Sequence, residues 1–508
     1  MRLVSFVKKL TVEIRLEPLG KTIHVESGAS LKNVLWDFGV EFPCGGEGLC
    51  KRCLVKVVSG NLELNDVQRR KLTKEEIENG FRLACQCRIF EPATLELSQF
   101  ESAILGDETG IQVKSAEGLG VAIDLGTTTL VAQLLDLQNG SILGVQSALN
   151  PQAQHGADIM SRINVALKES GAAILQRLIR EKLGVMICEL LSVSNLSLKK
   201  IVIVGNTAMH HLFNGIDVLP LSRYPFQPER DGEFIWKASD LGWDLRDDPK
   251  IVFLPCLGGF VGSDLLAGIL AVGMSESEET IGLIDLGTNG EVVIGNKSRI
   301  FCSSTAAGPA FEGAKISQGM RASTGAISKV KILDGKMAYE IIGNGSPKGI
   351  CGSGLVDAVA CGLEAGQIAS SGRLSDSRKV LELILPVSIT QNDIRELQLA
   401  KAAIAAGVEI LLKRMALQKS DLQKVHLAGA FGNYINLTSA KRIGLLNFDD
   451  SILVQSGNTA LRGAKLALFH EDNYDEILRK IEHVPLAADP EFQDIFVEQM
   501  NFPPIVYR

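Results

Sequence analysis

The sequence predicts an α+β domain of about a hundred residues followed by a larger, two-lobed α/β domain. Three observations carry this. A glycine-rich loop bearing cysteines lies among short alternating strands before about residue 98. Beyond about residue 120, short apolar runs alternate with helical segments, as buried strands and covering helices do. One strand–turn pattern occurs twice, beginning at Ala122 and at Leu283.

Within residues 1–98, TVEIRL and KTIHVES alternate as strands around a turn at Gly20. ASLKNVLWDFG has helical spacing at Leu31, Val34 and Leu35, with Gly39 as its stop. LVKVVSG and ATLEL supply further strands around the cysteine loop. Residues 99–119 are polar and glycine-containing, which predicts a linker. A domain tethered this way could swing between two partners. Residues 120–508 then divide into lobe one, about 120–280, and lobe two, about 281–508. The apolar runs at 121–123, 201–204, 251–254, 282–284 and 425–428 are its strands. Several end in Gly, Asn or Asp, where an open sheet places its ligand groups. The amphipathic stretch from Ile394 predicts a helix lying on the sheet.

At 508 residues the chain is long enough for two to four domains. Apolar content of 46% and charged content of 22% describe an ordinary globular protein. A net charge of -7 without a basic stripe excludes a nucleic-acid surface, and 5% aromatic residues leave little for base stacking. LLAGILAVGM, from Leu265, is about half a membrane span, so no membrane role is expected. MRLVSFVKKL is too short in its apolar part for an export signal. With reduced thiols, this predicts a cytoplasmic protein.

Cys44, Cys50 and Cys53 are spaced C-x5-C-x2-C, and Cys85 follows in FRLACQC. Thiolates hold [2Fe–2S] clusters in this manner, three from one irregular loop and a fourth from a returning strand. Gly45, Gly46 and Gly48 let the loop bend and bring N–H groups toward sulfur. A zinc site usually takes two C-x2-C pairs, and only one is present. Cys85 or Cys87 could be the fourth ligand; Cys85 is preferred because it precedes Gln86, as in ferredoxins, and the loop is similar to ferredoxins of the adrenodoxin kind. The other five cysteines read as buried thiols.

AIDLGTTT (122–129) and LIDLGTNGE (283–291) each run an apolar strand into Asp, then Gly, then hydroxyl or amide residues. This chemistry suits a phosphate clamp. Gly126 and Gly287 admit anionic oxygens to backbone N–H groups, and Thr127, Thr128, Thr288 and Asn289 add donors. Asp124 and Asp285 are expected to face each other across a cleft and hold Mg²⁺ through its water shell. GICGSGLVDAVA, from Gly349, predicts a helix N-terminus that could also face anions. No G-x-x-x-x-G-K-[ST] or G-x-G-x-x-G pattern occurs, so a P-loop and a dinucleotide fold are not expected. His155 and the pair His210–His211 are read as hydrogen-bonded structure rather than ligands.

The strand order of the first domain resembles the β-grasp ferredoxins. The duplicated motif resembles the two phosphate loops of the actin, Hsp70 and sugar-kinase ATPases. HLAGAFGNYIN, from His426, looks like that superfamily's adenosine motif, with Gly429 and Gly432 letting backbone pass under purine and ribose. Together with VIVGNTAMHHLF, GFVGSDLLAGI and STAAGPAFEGAKISQGM, the chain resembles, over nearly its whole length, the reductive activators of corrinoid proteins. Members of that family often carry an extra middle domain, and here only about twenty residues separate the two parts. The resemblance implies ATP-dependent transfer of one electron, from a low-potential donor protein through a [2Fe–2S] cluster, to an inactive Co(II) corrinoid protein. It also implies that two copies can pair. Alternatives from other classes are a small-molecule kinase with Asp264 as base, a nucleotide-binding redox sensor without turnover, and an activator of radical-type dehydratases. The last is expected to need a cluster shared between subunits, which four cysteines in one chain disfavour.

Overall fold

The structure, a computed structural model, describes residues 11–504 apart from 18–20, 37, 41, 43, 52, 98–105, 111–114, 157, 288–289, 306, 309, 314, 376–378 and 471–473. The turn at Gly20 and most of the expected linker lie outside the described residues. Two compact units emerge: 1–102 with 152–162, and 103–151 with 163–508.

The first unit holds a five-stranded mixed sheet. Its strands are β1 (Thr11–Glu17), β2 (Lys21–Glu26), β3 (Leu54–Ser59), β4 (Phe81–Leu83) and β5 (Ala93–Leu97), in the order β2-β1-β5-β3-β4. Val12, Ile14 and Leu16 alternate inward along β1, which pairs parallel with β5. Helix α1 (Leu31–Trp36) seats Leu31 and Leu35 in the core. Gly39, at φ +84°, follows it as the stop that the sequence suggests. Helix α2 (Asp66–Lys71) is capped by Asn65.

The second unit contains two six-stranded sheets built on one plan. The first has β6 (Leu119–Leu125), β7 (Thr129–Asp136), β8 (Ile142–Leu149), β9 (Leu198–Val204), β10 (Phe234–Lys237) and β11 (Lys250–Phe253), in the order β8-β7-β6-β9-β11-β10. Helix α3 (Gly171–Leu191) precedes β9, and α4 (Thr207–Asn214) follows it. After α5 (Ser263–Ala271) the second sheet begins, with β12 (Ile281–Leu286), β13 (Gly290–Gly295) and β14 (Ile300–Thr305). Helices α6 (Gly352–Glu364) and α7 (Gln391–Met415) precede β15 (Lys424–Ala428), α8 (Gly429–Tyr434), β16 (Leu453–Gly457), α9 (Thr459–Phe469) and β17 (Ile481–His483). Its order is β16-β15-β12-β13-β14-β17. In each sheet an antiparallel meander is flanked by parallel strands at its first member, β9 beside β6 and β15 beside β12. The duplication legible in the motif is therefore a duplication of topology.

Helix α7 starts three residues before the expected Ile394. Thr390 and Asp393 form a reciprocal capping box that nucleates it there. Its Ile404 and Leu411 pack with Val292, Phe301, Leu355 and Val359 in the core of the second sheet. Helix α9 crosses back to the first sheet. Leu461, Ala464 and Leu468 pack with Val131, Val202 and Val252 there, so a cut near residue 280 divides the sheets but not the lobes. Helix α5 serves both cores: Leu265 and Ile269 face Leu283 and Val293, whereas Leu266 and Ala267 face α9. That split follows from i, i+4 residues sharing one helix face. No helix among the described residues is long and apolar enough to cross a membrane.

Candidate cluster and nucleotide sites

In the first unit the cysteine loop joins α1 to β3, and Cys85 lies in a single helical turn after β4. The four thiols associate in two pairs. Cys50 hydrogen-bonds to Cys44 and lowers its thiol to about 4, and Cys53 hydrogen-bonds to Cys85 and lowers it to about 7. Among the described residues, no three His, Cys, Asp or Glu close on one point, as direct ligation of a single metal ion by protein groups alone would require. Two pairs, three thiols from a bent loop and one from the turn after β4, suit a two-iron cluster with two thiolates per iron.

The loop is shaped for this by its glycines and by three polar side chains. Gly48 has φ +73°, and a Cβ there would lie 2.5 Å from Val67 Cγ1. Gln86 Nε2 donates to Gly46 O at 2.7 Å and lies 3.6 Å from Cys85 Sγ. Lys32, on α1, donates to Gly45 O at 2.7 Å, and its ammonium interacts with Cys85 and Cys44. Asn65, the cap of α2, reaches Gln86 Oε1 at 3.2 Å. Cys87 faces the other way. It is buried, donates to Leu83 O at 3.3 Å, and burial pushes its thiol up to about 12. The geometry thus favours Cys85 over Cys87.

In the second unit, Asp124 and Asp285 are the penultimate residues of β6 and β12. Asp264 sits in the first turn of α5, and Glu291 lies opposite Asp285 in the β12–β13 hairpin. These four carboxylates feel one another. Desolvation and then the neighbouring charges raise Asp264 and Asp285 to about 7 and Glu291 well above its ordinary value. Desolvation raises Asp124 to about 6. All four remain partly exposed, and none forms an ion pair among the described residues. A crowd of hard oxygen donors with unrelieved repulsion fits a hydrated divalent cation.

The turn after β6, at Gly126, Thr127 and Thr128, is pinned from behind. Asn206, the cap of α4, donates to Thr127 Oγ1 at 2.8 Å, and Asn150 Nδ2 donates to Gly126 O at 2.8 Å. Asn150 N also donates to Thr128 O at 2.9 Å. In the second loop Gly287 follows β12 directly, and Thr288 and Asn289 lie outside the described residues. Gly429 opens α8 at φ +79°, and a Cβ there would stand 2.6 Å from Asp285 Oδ1. The adenosine-type motif therefore rests against the second aspartate. Gly432 is buried over Leu286 and Leu427.

Glu291, Asn206 and Asn458 have no role in the sequence motifs, and Asp264 has one there only as the base of a kinase. A strand end followed by Asn-Thr is a cap signal that could have flagged Asn206. The glycines opening α6 meet protein backbone: a Cβ at Gly352 would lie 1.8 Å from Phe311 O, and one at Gly354 2.2 Å from Ile327 O. His210 is fully buried, accepts edge contacts from Phe234 and Phe253, and lies 3.2 Å from Gly232 O. Burial lowers it to about 3. Its proton is therefore bound more tightly in the unfolded chain, and its contribution to stability is lost as pH falls from about 6.5 toward 3. His210→Gln is expected to lose less stability than the wild type between pH 6.5 and 4.5, as read from melts followed by circular dichroism.

Comparison with known proteins follows this division. Residues 14–90 match a family described as a 2Fe-2S iron-sulfur cluster binding domain. Residues 119–277 match the RACo middle region, and 279–506 the C-terminal domain of RACo, the ASKHA domain. The corrinoid activation enzyme RamQ of Eubacterium limosum is 35% identical over 419 residues, spanning 75% of this chain and 70% of that protein. The chain belongs to the reductive activators of corrinoid proteins. A second relative, the Co(II) methylated amine-specific corrinoid protein reductase of Methanosarcina barkeri, is 27% identical over 419 residues, covering 75% of this chain and 77% of its own. The solved structure of a reductive activator for corrinoid, iron-sulfur protein superposes with a TM-score of 0.67 at 28% identity, covering 97% and 98% of the two chains. One expectation is corrected. This activator does not lack the family's middle part, because residues 119–277, which form the first sheet and its helices, are what matches it.

Proposed function

We propose that this chain reactivates a corrinoid protein by delivering single electrons to its Co(II) state, returning it to Co(I), with Mg²⁺ and ATP bound and hydrolysed in the second unit. The observation that carries the reading is the presence of two cysteine pairs, built from one loop and the turn after β4, in the same chain as duplicated Asp-Leu-Gly-Thr hairpins. Cys44, Cys50, Cys53 and Cys85 hold the [2Fe–2S] cluster, which when bound supplies one-electron reduction at roughly −400 mV. Gln86 and Lys32 orient the loop and set a positive charge beside the thiolates.

Asp124 and Asp285, with Asp264 and Glu291 beside them, hold Mg²⁺, which when bound neutralises phosphate charge. Backbone N–H groups at Gly126 and Gly287 and the hydroxyls of Thr127, Thr128 and Thr288, with the amide of Asn289, take the phosphates. Gly429 and Gly432 shape the adenosine side. The electron donor is a low-potential protein of the cytoplasm. Hydrolysis is coupled because the reduction can be uphill: each ~59 mV of adverse gap costs about 1.4 kcal/mol for one electron. A gap of about a hundred millivolts lies within what nucleotide-driven closure can offset. The kinase alternative would give Asp264 a base role but leaves the cysteine loop without one.

The test is Co(I) formation on a corrinoid protein, followed by its absorption, with and without Mg-ATP. Faster or fuller reduction with Mg-ATP supports the reading, and equal yields end the coupling. Lys32→Met is expected to make the centre harder to reduce, on the order of tens of millivolts, because a nearby cation favours the more negative state. A spectroelectrochemical titration checks this.

A further inference from the structure

Helix α9 and the residues that lead into it touch three things at once, through contacts that the function proposed above does not use. At its N-terminus Asn458 caps the helix through Oδ1, which accepts from Leu461 N at 2.8 Å, and turns Nδ2 onto Asp124 Oδ2 at 2.9 Å. Just before it, Gln455 Nε2 donates to the carbonyls of Gly432 and Asn433 at 3.3 and 3.0 Å, holding the adenosine-type turn. One to two turns further on, Lys465, fully buried, places Nζ 2.6 Å from Asp107 Oδ2 and 3.0 Å from the carbonyls of both Asp107 and Thr109. Arg462 reaches Asp107 Oδ1 at 3.4 Å and Ser456 O at 2.8 Å. Gln133 Nε2 donates to Asp107 O at 2.8 Å. Asp107 falls in the stretch expected to be a free linker; it is instead the buried anchor of the chain entering the second unit.

We propose that Asn458 is a positioning residue for the Asp124 carboxylate, and that α9 couples the nucleotide site to the Asp107 anchor of the segment leading from the iron–sulfur unit. This rests on the nucleotide-binding part of the function proposed above. Gly463 lets the helix backbone lie directly against α5; a Cβ there would stand 2.0 Å from Ala267 O. A shift of Asp124 toward a bound Mg-nucleotide pulls on the cap of the helix that also grips Asp107. By linkage the coupling runs both ways: loosening the anchor must change nucleotide affinity by the same factor that nucleotide changes the anchor.

The experiment uses the full chain with its cluster reconstituted. Asn458→Ser keeps a helix cap but is too short to reach Asp124. The double variant Asp107→Leu, Lys465→Met replaces the buried ion pair by apolar groups of similar volume, a change such pairs often tolerate, and leaves Arg462 its bond to Ser456 O. Affinity for Mg-ADP is measured by calorimetry. Hydrogen exchange is followed in the peptide covering 106–110, with and without Mg-ADP. Expected are wild-type melting of Asn458→Ser, a loss of affinity of about five-fold or more in both variants, and an exchange response at 106–110 that is present in the wild type and absent in Asn458→Ser. Wild-type affinity in a folded double variant, or no exchange response in the wild type, overturns the coupling and leaves the functional reading standing. If the wild-type protein binds no nucleotide, both fall.

Discussion

Cys85→Ala protein, reconstituted anaerobically with iron and sulfide, is expected to lack the visible absorption of a two-iron cluster and to transfer no electrons to a corrinoid protein. Cys87→Ala is expected to keep both. The two cysteines are two residues apart, and sequence spacing alone left either as the fourth ligand. The fold separates them. Cys85 is partly exposed and hydrogen-bonds with Cys53, whereas Cys87 is buried and donates a hydrogen bond to Leu83 O. Removing Cys85 takes away one of four ligands and should be all-or-none for the cluster. Removing Cys87 deletes one buried sulfur and should cost on the order of 1 kcal/mol of stability. Iron analysis with visible circular dichroism checks the pair. Loss of the cluster in Cys87→Ala with retention in Cys85→Ala would reverse the assignment.

Asp285→Asn should separate stability from function. Asparagine keeps the shape that Gly429 packs against, 2.6 Å from the Cβ position, and removes one of four crowded charges. Burial pushes Asp285 up to about 7 in the folded protein, above the ordinary carboxylate value, so this group costs stability as pH rises from about 4 toward 7 and the whole cost is in place above that. At pH 8 in EDTA the variant should therefore melt higher than the wild type. Nucleotide hydrolysis should fall on the order of 10²–10³-fold, the usual scale for losing a preorganised charge at a phosphoryl site. A melt and a steady-state phosphate-release assay decide it. Hydrolysis within a few-fold of wild type would remove Asp285 from the site. Gly429→Ala should also lower hydrolysis, since φ +79° and the approach to Asp285 both exclude a side chain.

What was legible in the sequence was periodic or repeated. Alternation of Val12, Ile14 and Leu16 gave β1, and the recurrence of Asp-Leu-Gly-Thr gave two sheets of one topology. Cysteine spacing pointed to a cluster because loop ligands are close in sequence. Contacts between residues hundreds of positions apart left no local trace. Asn458 meets Asp124 across 334 positions, and Lys465 meets Asp107 across 358, so neither the return of α9 to the first sheet nor the anchoring of the supposed linker could be read in advance. Lys32 was hidden for a different reason: it sits on a polar helix face where lysine is ordinary. Only the turn of α1 onto the loop gives it a part.

The account depends most on the four thiolates binding iron in pairs. Electron paramagnetic resonance of the anaerobically reconstituted protein, before and after dithionite, tests this directly. The account predicts a silent oxidised state and, on reduction, a signal of about one electron spin per chain from a single two-iron centre. Protein that stays colourless and silent after reconstitution, or that holds one zinc ion on the same cysteines, would contradict it.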